Sequence, residues 1–139
     1  MSRGRYLIDT SALARWPKPA VAPVLDELSE HGLLAICGAV EMEVVRTARS
    51  RADATRLRHL LQGFDWTPMP DEVWDRAVEV QVQAVDRGIH RALSMADLLI
   101  AATAERHALT VLHYDHDYDM IASITGQPTT WITEPGTSD

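Results

Sequence analysis

Carboxylates stand at the ends of four apolar runs in this chain of 139 residues. Asp9 follows Tyr6-Leu7-Ile8. Glu41 and Glu43 follow Leu33 to Cys37. Asp97 heads Leu98-Leu-Ile-Ala-Ala102, and Asp115 and Asp117 follow Thr110-Val-Leu-His113. Acids gathered where buried elements end offer hard oxygen ligands to a divalent cation. A cation held that way suits hydrolysis at phosphorus: it acidifies water and neutralises charge on phosphoryl oxygens. Asp97 is the most informative of the set. Residues 98–102 are all apolar, so its helix is packed on more than one side, and a charged first turn must face an opening, a partner or an ion.

Each acid also has a plainer reading. Asp9 precedes Thr10-Ser11 and suits a helix N-cap. Ser94-Met-Ala-Asp97 fits a capping box, which does not exclude ligation. On the helix after Cys37 the apolar stripe Val40, Val44, Val45, Ala48 contains Glu41 and has Glu43 at its border, so phase leans to Glu41 and leaves the choice open. In His113-Tyr-Asp-His-Asp-Tyr-Asp119, turn chemistry at a strand end competes with ligation. The run lacks the Gly and distal Glu of a calcium loop, and zinc on His113 and His116 ranks below both. A phosphate-accepting Asp9 would want a lysine late in the chain, but the sole lysine is Lys18. The phosphate-loop, nucleophile-elbow and dinucleotide glycine motifs do not occur.

The elements that must position these acids alternate. Strands are expected at Tyr6–Asp9, Leu33–Cys37, Asp65–Met69, Thr110–His113 and Thr129–Ile132. Helices are expected from Thr10 to Trp16, and over Val21–His31, Ala39–Ser50, Ala52–Gly63, Asp71–Arg87, Ser94–His107 and Tyr118–Ile124, with a loop at Gly88–Leu93. Alternation of this kind predicts a three-layer α/β/α domain on a central, mostly parallel five-stranded sheet, with ligands at the carboxyl ends of the strands. Residues 1–133 form one domain in this reading, and Glu134–Asp139 is a polar tail.

Composition narrows the class. The formal net charge is −7, which argues against bulk electrostatic binding of nucleic acid. Five arginines nevertheless fall between Arg46 and Arg58; a solvated helix face is their plain reading. The single Cys37 forms no internal disulfide and fits a reducing cytoplasm. No run approaches the ~20 apolar residues of a membrane span, and Met1-Ser-Arg-Gly-Arg5 reads as a lead-in to the first strand, not a secretion signal.

In four stretches the sequence resembles the PIN-domain ribonucleases, specifically the VapC-type toxins of bacterial VapBC toxin–antitoxin systems. They are Leu7-Ile-Asp-Thr-Ser-Ala-Leu13, Val40-Glu-Met-Glu-Val-Val-Arg-Thr-Ala-Arg49, Ser94 through Arg106 and Leu109 through Asp119. Each is weak alone; together, in this order, they cover nearly the whole chain. The resemblance implies a PIN-like fold and an endoribonuclease using Mg2+, with Mn2+ as substitute. It implies Asp9, Glu43 and Asp97 as ligands, with Asp115 or Asp117 as the fourth acid, since the spacing there departs from many members by one residue. It selects Glu43 over Glu41, because the helix acid precedes an aliphatic pair. It further implies a homodimer and inhibition by a cognate VapB-type antitoxin. An anionic groove flanked by apolar helix faces around Val73, Trp74 and Ala77 suits an inhibitor that lays down an apolar helix and places an arginine among the carboxylates. Thr10 and Ser11 are expected to orient a ligand or water. Arg46, Arg49, Arg51, Arg87 and Arg91 are expected to grip RNA phosphates. The alternatives are a PIN-like domain that binds RNA or protein without catalysis, and an aspartate-based phosphoryl-transfer domain.

Overall fold

The computed structural model describes residues 5–139; the lead-in reading of Met1–Gly4 lies outside them. Five strands form one sheet: β1 Tyr6–Ile8, β2 Leu34–Cys37, β3 Asp65–Thr67, β4 Thr110–His113 and β5 Thr129–Trp131. The order is β3-β2-β1-β4-β5, and every pairing is parallel. The expected mostly parallel sheet is therefore wholly parallel. Among the described residues seven α-helices complete the three-layer fold: α1 Thr10–Leu13, α2 Ala22–Glu30, α3 Gly38–Arg46, α4 Arg51–Leu61, α5 Asp71–Asp86, α6 Met95–Arg106 and α7 Asp117–Thr125.

β1 is central because its residues can be. Leu7 and Ile8 are fully buried, and the near-continuous apolar runs of β2 and β4 flank it, as strands covered on both faces require. Chain connections leave β1 toward β2 on one side and reach β4 on the other only after β3, α5 and α6. The sheet order therefore reverses between β1 and β4, the place where α/β sheets open a crevice at their carboxyl ends.

α6 is the spine behind that crevice. Asp97 through Ala104 are all buried. The helix lies against β1 and β4 on one side and α5 on the other, as its lack of a polar face requires. At its far end Arg76 of α5 holds Glu105 through Nε at 2.8 Å, setting the register of the two helices. α5 buries Val73, Ala77, Val80 and Ala84. Its outer face leaves Trp74, Val78, Val82 and Val85 exposed, beside exposed Met95. The apolar surface expected around Val73, Trp74 and Ala77 thus belongs mostly to the core. The exposed stripe is the one through Trp74 and Val78 to Val85.

Several helix ends differ from expectation. α3 stops at Arg46, because Thr47 turns its hydroxyl onto the Val44 carbonyl at 2.7 Å, and Ser50 then caps α4 through the Asp53 amide at 3.0 Å. The expected loop after α5 contains a short 3-10 turn at His90–Ala92. Glu134–Asp139, polar as expected, is packed: Ser138 is buried, and the Gly136 and Ser138 amides both donate to the Tyr114 hydroxyl, at 2.8 and 2.9 Å.

Candidate metal centre

The chain reverses at the carboxyl end of β1, and Asp9 makes the turn. Its Oδ1 accepts from the Ser11 hydroxyl at 2.7 Å and from the Ala12 amide at 3.2 Å, so it caps α1 as Asp does well. The same Ser11 oxygen accepts from the Tyr114 amide at 2.8 Å. One hydroxyl thereby ties the end of β1 to the end of β4. Thr10 points the other way and donates to Glu43 Oε1 at 2.9 Å, bringing α3 to the same edge.

Asp97 stands in the first turn of α6. Its amide donates to the Ser94 hydroxyl at 3.0 Å, which is the capping half of the expected box. Its carboxylate groups with those of Asp115 and Asp117, their nearest oxygens all within 4.8 Å of one another. An Asx turn sets the other two acids: the Asp117 amide donates to Asp115 Oδ1 at 2.9 Å as the chain enters α7. Both candidates for the fourth acid therefore reach Asp97.

The electrostatics follow from taking carboxylates out of water beside one another. Burial pushes Asp9 up to about 6, against the pull of its Ser11 and Ala12 hydrogen bonds. Burial first, then the neighbouring Asp117 and Asp115, push Asp97 up to about 7. Asp117 is raised too, chiefly by burial. Tyr118 lies beneath the group, wholly buried. Burial and the nearby Asp9 and Asp97 charges hold its hydroxyl well above the ordinary phenol range, and no hydrogen bond of ordinary length and angle satisfies it among the described residues. Carboxylates crowded and raised by burial in this way fit a divalent cation better than they fit one another.

The histidines do not compete for that role. His113 is fully buried, between the rings of Tyr118 and Trp131 at 4.9 and 5.1 Å. Its Nδ1 accepts from the Asp115 amide at 3.1 Å, so that lone pair is spent on shaping the turn, and burial pulls the imidazole down to about 4. Lys18 is exposed, outside the acid cluster.

The PIN-domain family profile matches residues 6–124. Ribonuclease VapC21 of Mycobacterium tuberculosis is 45% identical over 135 residues, covering 96% of this chain and 98% of the relative. The chain is a PIN-domain protein of the VapC family. Ribonuclease VapC51 of the same species is 40% identical, covering 97% of this chain and 98% of the relative. Solved structures share the fold at lower identity. A DNA-bound VapBC from Salmonella typhimurium matches with a TM-score of 0.76 at 14% identity, over 94% of this chain and 100% of that one. A toxin–antitoxin complex from Klebsiella pneumoniae matches with a TM-score of 0.71 at 22%, over 93% and 98%.

In this VapC-family chain the two glutamates of α3 part company. Glu43 reaches Thr10, whereas Glu41 lines a shallow cleft with Met42, Val45, Arg46 and Arg58. Arg46, Arg49, Arg51, Arg87 and Arg91 are all exposed. Arg87 is partly spent, its Nη1 donating to the Ser123 carbonyl and hydroxyl at 3.2 and 3.3 Å. The motifs do not include Arg15 and Trp131, which close in beside Tyr114 and Asp115 with the chain's last residues. A tyrosine and a tryptophan flanking an acid-rich turn were the available signal.

Proposed function

We propose that this chain is the endoribonuclease toxin of a type II toxin–antitoxin pair, cutting cellular RNA with Mg2+ or Mn2+ held by Asp9, Glu43, Asp97 and Asp115 or Asp117. The observation that carries this reading is the grouping of Asp97, Asp115 and Asp117 within 4.8 Å of one another, at an edge to which Ser11 and Thr10 tie Asp9 and Glu43 without bringing them into that group. Curated relatives over nearly the full length bear the name ribonuclease.

The residues divide the work by oxygen atom. Asp9 spends Oδ1 on Ser11 and Ala12, Asp115 spends Oδ1 on the Asp117 amide, and Glu43 spends Oε1 on Thr10. In each case the bond orients the carboxylate, in the way outer partners fix metal ligands, and these groups would be the ones to hold the ion. The bound cation supplies the charge that lets a phosphodiester approach this acidic edge and activates water for hydrolysis. Asp97, raised to about 7 by burial and by the neighbouring Asp117 and Asp115, would give up its proton on binding a cation. Exposed Arg46, Arg49, Arg51 and Arg91 meet RNA phosphates, which position the strand without reading it; Arg87 does so less freely.

The partners follow from the same surfaces. A VapB-type antitoxin places an arginine among the carboxylates, where a bidentate pair is strong, and lays an apolar helix on exposed apolar surface. Trp74, Val78, Val82 and Val85 supply a continuous stripe for a second copy of the chain. No helix among the described residues is long and apolar enough to cross a membrane, and cellular RNA as substrate places the protein in the cytoplasm.

The test is expression alone and with the adjacent small gene. Alone, the chain is expected to arrest growth, and the purified protein to cut total RNA with Mg2+ and to stop on addition of EDTA. With the partner it is expected to copurify, silent, as a complex sized for two toxin copies. Harmless expression of an intact, folded chain that cuts no RNA would leave a PIN domain that only binds.

A further inference from the structure

Beside the carboxylates, and sharing Asp115 with them, the surface opens into a cleft of about 560 Å3, within the ~300–1,000 Å3 range of small-molecule sites. Its walls are aromatic. The Tyr114 and Trp131 rings meet edge to face, centroids 5.3 Å apart, and the exposed His116 ring stands on Trp131 at 4.8 Å. Pro135 and Gly136 close the far side, fixed there by the Gly136 amide on the Tyr114 hydroxyl. The Arg15 guanidinium lies over the Tyr114 face, 4.4 Å from its centroid. Two backbone carbonyls hold it flat: Nη1 donates to Ser11 O at 2.8 Å and Nε to Ser138 O at 3.1 Å. No carboxylate within ion-pair distance neutralises it among the described residues.

Those groups define a ligand. Aromatic rings and a guanidinium plane are what unstacked bases of single-stranded RNA pack against. The two acids at the cleft, Asp115 and Asp139, repel a phosphate but accept hydrogen bonds from base N–H groups. A bare anion site would lack the aromatic walls and those carboxylates. Asp139 already takes the Tyr114 hydroxyl on Oδ1 at 2.8 Å, leaving Oδ2 for such a donor. The cleft is also mechanically joined to the catalytic edge, since Ser11 binds both Asp9 and the Tyr114 amide.

We propose that this cleft holds the splayed-out base of a nucleotide next to the scissile phosphate, and so sets where an RNA is cut; the inference rests on the ribonuclease reading above. The base is one whose edge carries N–H donors. It packs on the outward side of the Arg15 guanidinium, whose inner side lies on the buried Tyr114 ring, and Asp139 reads it.

The experiment is an abasic scan. Cleavage sites are mapped on total RNA with the intact protein and Mg2+. A single-stranded oligoribonucleotide spanning one site is then made with an abasic ribose at each flanking position in turn. One neighbouring position is expected to cost about 10- to 100-fold in kcat/KM, the worth of one base–aromatic stack. The same abasic change is expected to cost less than about 3-fold, within the loss of a weak contact, in Arg15→Gln and in His116→Ala. The readout is a ratio within each variant, which a merely destabilised enzyme would not move, and exposed His116 can be replaced without touching the core. A flat scan in the intact protein while cleavage persists would overturn the base pocket and spare the nuclease. So would an undiminished abasic cost in both variants. Failure of the intact protein to cut any RNA would sink both.

Discussion

Asp97 carries two duties that a single substitution separates. Its amide completes the Ser94 cap, and its carboxylate sits with Asp115 and Asp117. Asp97→Asn keeps the amide and the side-chain shape but loses the charge. Removing an outer partner of a metal ligand costs about 10–100-fold, so losing the ligand charge is expected to cost at least about 100-fold in RNA cleavage. The ion-free variant should melt no lower than the parent, because a carboxyl already held up to about 7 gives up little when neutralised. Near-parental Mg2+-dependent cleavage by the folded variant would remove Asp97 from the centre. The glutamates of α3 give a second comparison. Glu43→Gln is expected to cost at least about 10-fold more activity than Glu41→Gln, since Glu43 reaches Thr10 and Glu41 does not; growth arrest by each variant decides it, and the reverse ranking would mean the other acid serves the site. Helical phase leaves that choice open for a physical reason. With ~100° per residue, Glu41 and Glu43 lie roughly 80° to either side of the buried Val40–Val44 line. Val45, which pulls the apolar stripe toward Glu41, faces the α4 side.

At the scale of elements, the β1–β4 edge stores repulsion that pH and ions should release. A carboxyl whose pKa is higher folded than unfolded stabilises the fold below its unfolded value, and that stability is lost as pH rises through the folded one. Asp9, at about 6, and Asp97, at about 7, place the loss between roughly pH 4 and 8. His113 opposes it. Held down to about 4, it destabilises the fold as pH falls below its ordinary 6.5, which offsets one of the two carboxyls in the lower part of the window. The net expectation is a melting temperature that declines by roughly 5 °C or more from pH 5 to pH 8 without ions. Millimolar Mg2+ or Mn2+ should restore it at pH 8. An ion-free melting temperature flat across that range would contradict the crowded-acid account. The same edge shows what a sequence yields. β1, β2, β4 and α6 were legible because continuous apolar runs have few ways to be buried, and acids at their ends then converge by topology. The last six residues were not, because Glu134–Asp139 looks like solvent-loving tail. What orders them is one hydroxyl, Tyr114, accepting two amides, a long-range arrangement with no local pattern. The base cleft was hidden for the same reason: Arg15, Tyr114 and Trp131 are distant in sequence and become neighbours only once β1, β4 and β5 pair.

Across the whole molecule, burial is unevenly shared. Asp97 through Ala104 of α6 are buried without a break, whereas α4 buries Leu61 alone and leaves Leu60 exposed. An eleven-residue helix is marginal in water on its own propensity, so α4 is held by little beyond its Ser50 cap and its packing on α3. Amide hydrogen exchange is the way to see it. The amides of α6 should exchange only when the entire protein unfolds, while those of α4 should exchange through local opening at a fraction of that free energy. Equal protection in the two helices would refute this. The consequence is a protein with a slow half and a fast half, and α3 is the seam between them. Its first residues continue the buried strand β2, its last lead into the loose helix, and Glu43 lies between. Of the acids at the sheet edge, Asp97 is then fixed for the lifetime of the fold, while Glu43 rides on a segment whose outer neighbour comes and goes. Whatever grips α4 from outside therefore tightens one side of the carboxylate ring without touching it.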